Sequence, residues 1–393
     1  MDFLKKVVVT SVVLSSLSLL AAKNVYITIG ADAVTANKKT NNDFNVIGIK
    51  DNIAIVEIDE SKVEEISHLM HEEFHRCGGF IKHDSYEEAV RETAAMGTRA
   101  IAKNFKFIDH SLTQKSLVTK ALAEVRDDTI ADDIKHLSSY KNRHYKSKTG
   151  VESQKWLHEK WTKIVNGRTD IEVSLYEHDS WDQPSVITKI EGKSSEAIII
   201  GGHGDSIATW GSRATAPGAD DNASGIATVT EVLRVLVESS YVPEKTIYFM
   251  SYAAEEVGLL GSKEIAKDFK ARGVDVVGVL QLDMTNFKGS EDLDIVMMTD
   301  FTNEDQNKFL GNILDRYLPT IKWGYDKCGY GCSDHASWHG EGFPASVPFE
   351  SRKDDMNRHI HTRRDTLDKS GGHARHAAKF AKLALAFVIE LDK

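Results

Sequence analysis

His203, Asp221, Glu256, Asp283 and His361 all carry side chains that ligate divalent cations, and Glu255 adds a carboxylate next to them. Imidazole with carboxylate, and no thiolate, suits catalytic zinc with an open position better than a closed structural site. One bridging carboxylate, two histidines and two further carboxylates would hold two divalent ions about 3.5–4 Å apart, the spacing of two-metal hydrolases. Glu255 is the carboxylate that this set leaves unused.

The surrounding sequence says how such groups could meet. Residues 198–200 are an isoleucine run that ends in Gly201-Gly202 and delivers His203 to a loop. Residues 246–252 read as a strand ahead of the Glu255-Glu256 pair, and the apolar run 276–282 ends at Asp283. Continuous β-branched and apolar runs of this length read as buried strands. Polar groups that follow such runs belong at the carboxyl edge of a parallel sheet, where ligand crevices open. Asp220-Asp221 precede the helical pattern 226–237, a favourable place for carboxylates. The expected architecture is therefore α/β, a mixed and mainly parallel sheet flanked by helices.

Five segments together resemble the secreted bacterial leucyl aminopeptidases, a di-zinc exopeptidase family. They are Gly201-Gly202-His203-Gly204-Asp205-Ser206, the 216–225 stretch around Asp220-Asp221-Asn222, Ala253-Ala254-Glu255-Glu256-Val257-Gly258, Gln281-Leu282-Asp283-Met284-Thr285-Asn286, and Cys328-Gly329-Tyr330-Gly331-Cys332-Ser333-Asp334-His335. The resemblance spans about 118–393. It implies that Asp221 bridges two zinc ions, with His203 and Asp283 on one and Glu256 and His361 on the other. It implies Glu255 as general base, Tyr330 as a group that positions the scissile carbonyl, and Asp205 as the partner that fixes the His203 tautomer. It also implies apolar pocket walls for the first substrate side chain. Met284 and Phe349 keep that character, whereas Lys353 and Met356 stand where aromatic residues are expected. Removal of N-terminal leucine and other large apolar residues is the implied activity.

Other readings compete. His71-Glu72-Glu73-Phe74-His75 fits H-E-x-x-H, which on a helix sets two histidines on one face, but Gly78-Gly79 stop that helix and the next histidine is His83. Ser333, Asp334 and His335 suggest a serine triad, yet sequence neighbours rarely face one another and no Gly-x-Ser-x-Gly is present. His359 rivals His361, which is favoured by His361-Thr362. Asp220 could be only a neighbour of Asp221. A carboxypeptidase or glutaminyl cyclase on the same fold is the enzymatic alternative. Arg352, Arg358, Arg363 and Arg364 could serve a substrate carboxylate. A non-catalytic binding module is the third possibility, although all six positions are filled.

The 393 residues divide into expected parts. Residues 1–22, with Lys5-Lys6 before an uncharged stretch and Ala21-Ala22 after it, read as a secretory signal. Residues 23–105 read as a small α+β pro-region, which the resemblance implies is a removable propeptide that assists folding and covers the site. Residues 106–393 read as the catalytic domain, a length that suits one α/β core. The joint at 91–111 looks least ordered and open to processing. A net charge of −10 without a basic block argues against nucleic acid or an anionic membrane surface as partner, and no run beyond the signal is long enough for a permanent membrane span. Peptide N-termini and the propeptide are the expected partners, and the product is expected to be a secreted monomer. Cys328 and Cys332 could close a disulfide in an exported chain, with a zinc site as the alternative; Cys77 falls in the pro-region.

Overall fold

A computed structural model of the chain describes residues 23–37, 44–50, 52–74, 76, 79–96, 111–208 and 211–393. The expected signal at 1–22, His75, Cys77 and residues 97–110 of the joint lie outside these.

The first unit is an antiparallel sheet with helices on it. Its elements are β1 (Asn24–Gly30), α1 (Ala31–Asn37), β2 (Asn45–Lys50), β3 (Ile53–Asp59), α2 (Val63–Phe74), β4 (Phe80–His83) and α3 (Tyr86–Met96), with strand order β2-β3-β1-β4. Central β1 and β3 are buried and β2 is an exposed edge. One expectation changes here: residues 91–96, at the start of the joint, are helical.

The second unit carries α4 (Lys115–Ala123), α5 (Asp127–Ser139), α6 (Lys148–Ile164), β5 (Ile171–Tyr176), β6 (Ser185–Ile190), β7 (Ser194–His203), α7 (Gly225–Glu238), β8 (Lys245–Tyr252), α8 (Leu260–Ala271), β9 (Asp275–Gln281), β10 (Ile295–Met298), α9 (Glu304–Tyr317), β11 (Trp323–Asp326), α10 (His335–Gly340), β12 (Ala345–Ser346), β13 (Pro348–Phe349) and α11 (Ala377–Leu391). Its main sheet runs β12-β9-β7-β8-β6-β5. The pairs β12–β9, β9–β7 and β7–β8 are parallel, while β8–β6 and β6–β5 are antiparallel. A short sheet, β11-β10-β13, stands beside it.

Both faces of the main sheet are covered, which is why β7 can be isoleucine at 198, 199 and 200 without alternation. Ile198 and Ile200 join the core beneath α7 and α11, where Ile226, Val229, Phe380 and Phe387 are buried. Ile199 faces the opposite core with Phe269 of α8 and Trp338 of α10. Residues 115–139 form two helices, α4 and α5, rather than one. The break has a cause on α7: the Arg126 amide donates to Glu231 and the Glu124 carbonyl accepts from Arg234. These long-range partners carry no local signal. Among the described residues no helix is long and apolar enough to cross a membrane.

Candidate metal centre

The parallel strands deliver the site as their order requires. His203 ends β7, Glu255 and Glu256 follow β8, and Asp283 lies two residues beyond β9. Asp221 sits in the kinked turn Ala219–Ser224, which leads into α7. His361 enters from the loop between β13 and α11. Ala254 (φ 56°), Met284 (φ 52°) and His361 (φ 55°) adopt left-handed backbone although none is glycine, and such conformations gather where surrounding structure imposes them at functional sites. Close backbone approach is needed too. A Cβ on Gly225 would come 2.2 Å from the Leu282 carbonyl oxygen.

Asp221 is the centre of the arrangement. Its Oδ1 lies 3.1 Å from His203 Nε2 and its Oδ2 lies 2.8 Å from His361 Nε2. Asp283 Oδ1 is 3.4 Å from His203 Nε2, and Glu256 Oε2 is 3.3 Å from His361 Nε2. The result is two lobes that share one carboxylate. His203, Asp221 and Asp283 form one, and Glu256 and His361 belong to the other; within each lobe the ligand atoms lie within 4.8 Å of one another. The second lobe contains a further residue, His71 of α2. Glu255 Oε2 stands 4.0 Å from His203 Nε2.

Supports for these groups are themselves buried. Asp205 accepts from the amides of Glu255 and Glu256 at 3.0 and 3.2 Å, and its Oδ1 lies 3.3 Å from His203 Nδ1. One carboxylate thereby sets the position of three site residues. Ser333 Oγ donates to Asp283 Oδ2. Asp365 accepts from the amides of Asp220 and Asp221. Arg143 donates to the carbonyls of Gly204, Pro217 and Gly218 and ties the His203 loop to the Asp221 turn. Asn222 donates to the Leu282 carbonyl and accepts from the amides of Gly225 and Met284.

The electrostatics of this cluster are those of a cation site. Burial works against ionised Asp221, but facing His203 and His361 pull its pKa well below the ordinary value. Burial works against charged His203, but Asp283 and Glu255 raise it well above 6.5, and His361 rises to about 10 against burial because of Glu256 and Asp221. Burial raises Glu255 well above the usual carboxylate range and, with Asp221, lifts Glu256 to about 7. Protons here do the work of positive charge that dications would do, and deprotonated ligands go with bound metal. Both oxygens of Glu255 and of Glu256, Oδ1 of Asp283 and both ring nitrogens of His361 are buried without a hydrogen-bond partner. Buried polar atoms are ordinarily paired. A convergent set of orphaned oxygen and imidazole atoms fits two divalent ions.

Every expected site residue in this cluster is placed together, and the alternatives fall apart. Asp220 turns away, accepting from the Asn286 amide and from Asn357. His359 lies in neither lobe. Ser333 faces Asp283 while His335 Nε2 points at the Asp300 carbonyl, so no triad exists. Cys328 and Cys332 are joined as a disulfide. Met284, Tyr330, Phe349 and Met356 share one buried apolar cluster. Lys353 is half-buried with its ammonium 6.0 Å from the Tyr330 ring centroid. Sequence reasoning missed Ser333, Asp365 and Arg143 as supports. Ser333 lay inside a quoted motif and Asp365 four residues past His361, whereas nothing marked Arg143.

Two lobes of metal-ligand side chains around one carboxylate, at the carboxyl edge of a helix-covered sheet, fit a metal-dependent hydrolase. The chain belongs to peptidase family M28, whose pattern matches residues 185–388. It is 37% identical over 284 residues to leucine aminopeptidase 1 of Coccidioides posadasii, covering 69% of this chain and 72% of that protein. The crystal structure of the LapA aminopeptidase of Legionella pneumophila superposes with a TM-score of 0.79 at 30% identity, covering 95% of this chain and 99% of that one. Porphyromonas gingivalis glutaminyl cyclase, at 14% identity and a TM-score of 0.54 over 68% of this chain, shares the fold.

Proposed function

We propose that the protein is an exported aminopeptidase that uses two zinc ions and removes N-terminal leucine and other large apolar residues. The observation that carries this reading is Asp221, with one oxygen toward His203 and the other toward His361, beside an otherwise unpaired Glu255. In it, His203, Asp221 and Asp283 would hold one ion, and Asp221, Glu256 and His361 would hold the other. The ions, when bound, polarise a carbonyl and lower the pKa of water toward about 7. Glu255 takes a proton from the attacking water, and the same proton passes to the leaving nitrogen as the carbon–nitrogen bond breaks. Tyr330, on the pocket wall, orients the carbonyl. The acidic surroundings of the second lobe favour a free α-amine, which accounts for one-residue removal. The names of the fungal and Legionella relatives support the substrate class.

In the same reading, residues 1–22 are a signal, 23–105 a propeptide, and 106–393 a catalytic domain that works as a monomer. The packing supports a covering role for the N-terminal unit. Ile53 of β3 belongs to the buried cluster of Met284, Tyr330, Phe349 and Met356. The space left in that pocket, lined also by Lys353 and Cys328, is about 10 Å³, room for about one water. A carboxypeptidase is disfavoured because Arg352, the most buried candidate for a substrate carboxylate, already forms a bidentate pair with Asp292 at 2.7 Å on each side. The test is metal analysis of the purified enzyme together with hydrolysis of leucine p-nitroanilide with and without chelator. Activity that survives complete metal removal, or cleavage only of N-blocked peptides, overturns the proposal.

A further inference from the structure

The helix α2 belongs to the covering unit, yet one of its side chains reaches the floor of the site. His71 is buried, stacks on His361 with ring centroids 3.9 Å apart and 27° between planes, and brings Nε2 to 3.4 Å from Glu256 Oε2. That Nε2 has no hydrogen-bond partner. A solvent-excluded imidazole nitrogen beside a carboxylate and a second imidazole, without a hydrogen bond, has the placement and chemistry of a metal-ligand atom.

The helix is fixed so that His71 has little freedom. Ser67, one turn earlier on the same face, donates to the Glu256 carbonyl oxygen at 2.6 Å. Glu64, a further turn back, accepts from Tyr145 Oη at 2.9 Å and Lys146 Nζ at 2.6 Å of the catalytic unit. Ile66 and Met70, on the neighbouring side of the helix, are buried in a cluster that also holds Val25, Ile27 and Ile29 of β1. Thus this face of α2 is registered on the second unit, with Ser67 and His71 on Glu256 itself. The first histidine of the H-E-x-x-H pattern thus stands in a cluster made by the other unit.

We infer that His71 is a direct ligand of the metal ion held by Glu256, His361 and Asp221, so that the N-terminal unit closes the site by coordination as well as by packing. This rests on the two-metal reading above. Its consequence is a double substitution for substrate: Ile53 fills the place of the first side chain, and the His71 nitrogen takes the coordination position that a substrate α-amine needs. Release of the N-terminal unit then opens that position and lowers the retention of this ion alone.

The test uses the full chain, loaded with zinc or with cobalt(II), as wild type, His71→Ala, His71→Gln and His68→Ala. His68 lies on the same helix but is exposed. Zinc release to excess 4-(2-pyridylazo)resorcinol is expected in two phases. In both His71 variants one phase is expected to be at least ~10-fold faster, since even partners behind a ligand are worth 10–100-fold in affinity, with the other phase and His68→Ala unchanged. The visible cobalt(II) spectrum is expected to change in the His71 variants only. If wild type binds two ions and neither release nor spectrum responds to either His71 variant, His71 is packing and the inference falls while the two-metal reading stands. If wild type binds fewer than two ions, both fall. His71→Gln provides the readout should His71→Ala fail to fold.

Discussion

Ser333 Oγ donates to Asp283 Oδ2 at 2.6 Å and thereby leaves Asp283 Oδ1 turned toward His203. The hydroxyl selects which carboxylate oxygen faces the metal lobe. Ser333→Ala is expected to weaken zinc at the His203–Asp283 lobe by roughly 10–100-fold with an unchanged far-ultraviolet circular dichroism spectrum. Competition titration against a chelator measures it, and equal affinity in the variant refutes the role.

The adjacent glutamates should separate cleanly. Glu255→Ala is expected to retain near-normal zinc yet lose at least ~10²-fold in turnover, as general-base catalysis is worth 10²–10⁴. Glu256→Ala is expected to lose metal first. Full activity in Glu255→Ala assigns the base elsewhere.

Lys353 lies on the pocket wall, and burial together with nearby Arg76 lowers its pKa. Its methylenes can line an apolar wall while its amine reaches outward, and the Met356 thioether adapts to varied shapes. The active enzyme is expected to use leucine and phenylalanine p-nitroanilides with weak discrimination and lysine p-nitroanilide poorly. Lys353→Phe should sharpen the preference among apolar substrates. Comparison of kcat/KM across the three substrates decides; a lysine preference in the wild type contradicts the assignment.

Burial of His335 lowers its pKa to about 3, against an ordinary 6.5. Below pH 6.5 the unfolded chain takes up a proton that the folded ring refuses. The contribution to stability is therefore fully present above about 6.5 and is lost as pH falls toward about 3. At pH 5 the loss is on the order of 2 kcal/mol. His335→Gln, which keeps a donor for the Asp300 carbonyl, is expected to flatten the fall in Tm between pH 7.5 and 5 of the metal-loaded protein by several degrees. Parallel slopes in wild type and variant would remove His335 as a source of acid sensitivity.

The groups that face the metal lobes were legible in the sequence because each follows an element with a strong pattern: an isoleucine run before His203, a strand before Glu255, an apolar run before Asp283. Asp221 was legible because a helix begins just after it. What escaped were contacts set by tertiary proximity alone. Arg143 stands in a polar stretch with no periodicity, yet it joins two site loops. His71 was read through its own motif and rejected as a zincin. Its true neighbours, Glu256 and His361, are far away in the chain and on another unit. The α4–α5 break was hidden for the same reason, since its partners sit on α7.

Glu390, at the far end of α11, accepts from the amides of Thr113 and Gln114 and also bonds Tyr317 and Lys393. The start of the second unit is therefore tied to its last helix by one buried carboxyl group. An enzyme that nibbles chain ends could shorten any freshly exposed front end of its own copies. Trimming up to Ser111 leaves the seam intact. Trimming beyond Gln114 would strip two amide donors from a buried carboxyl group, so the seam marks how far self-erosion can advance before the fold resists it.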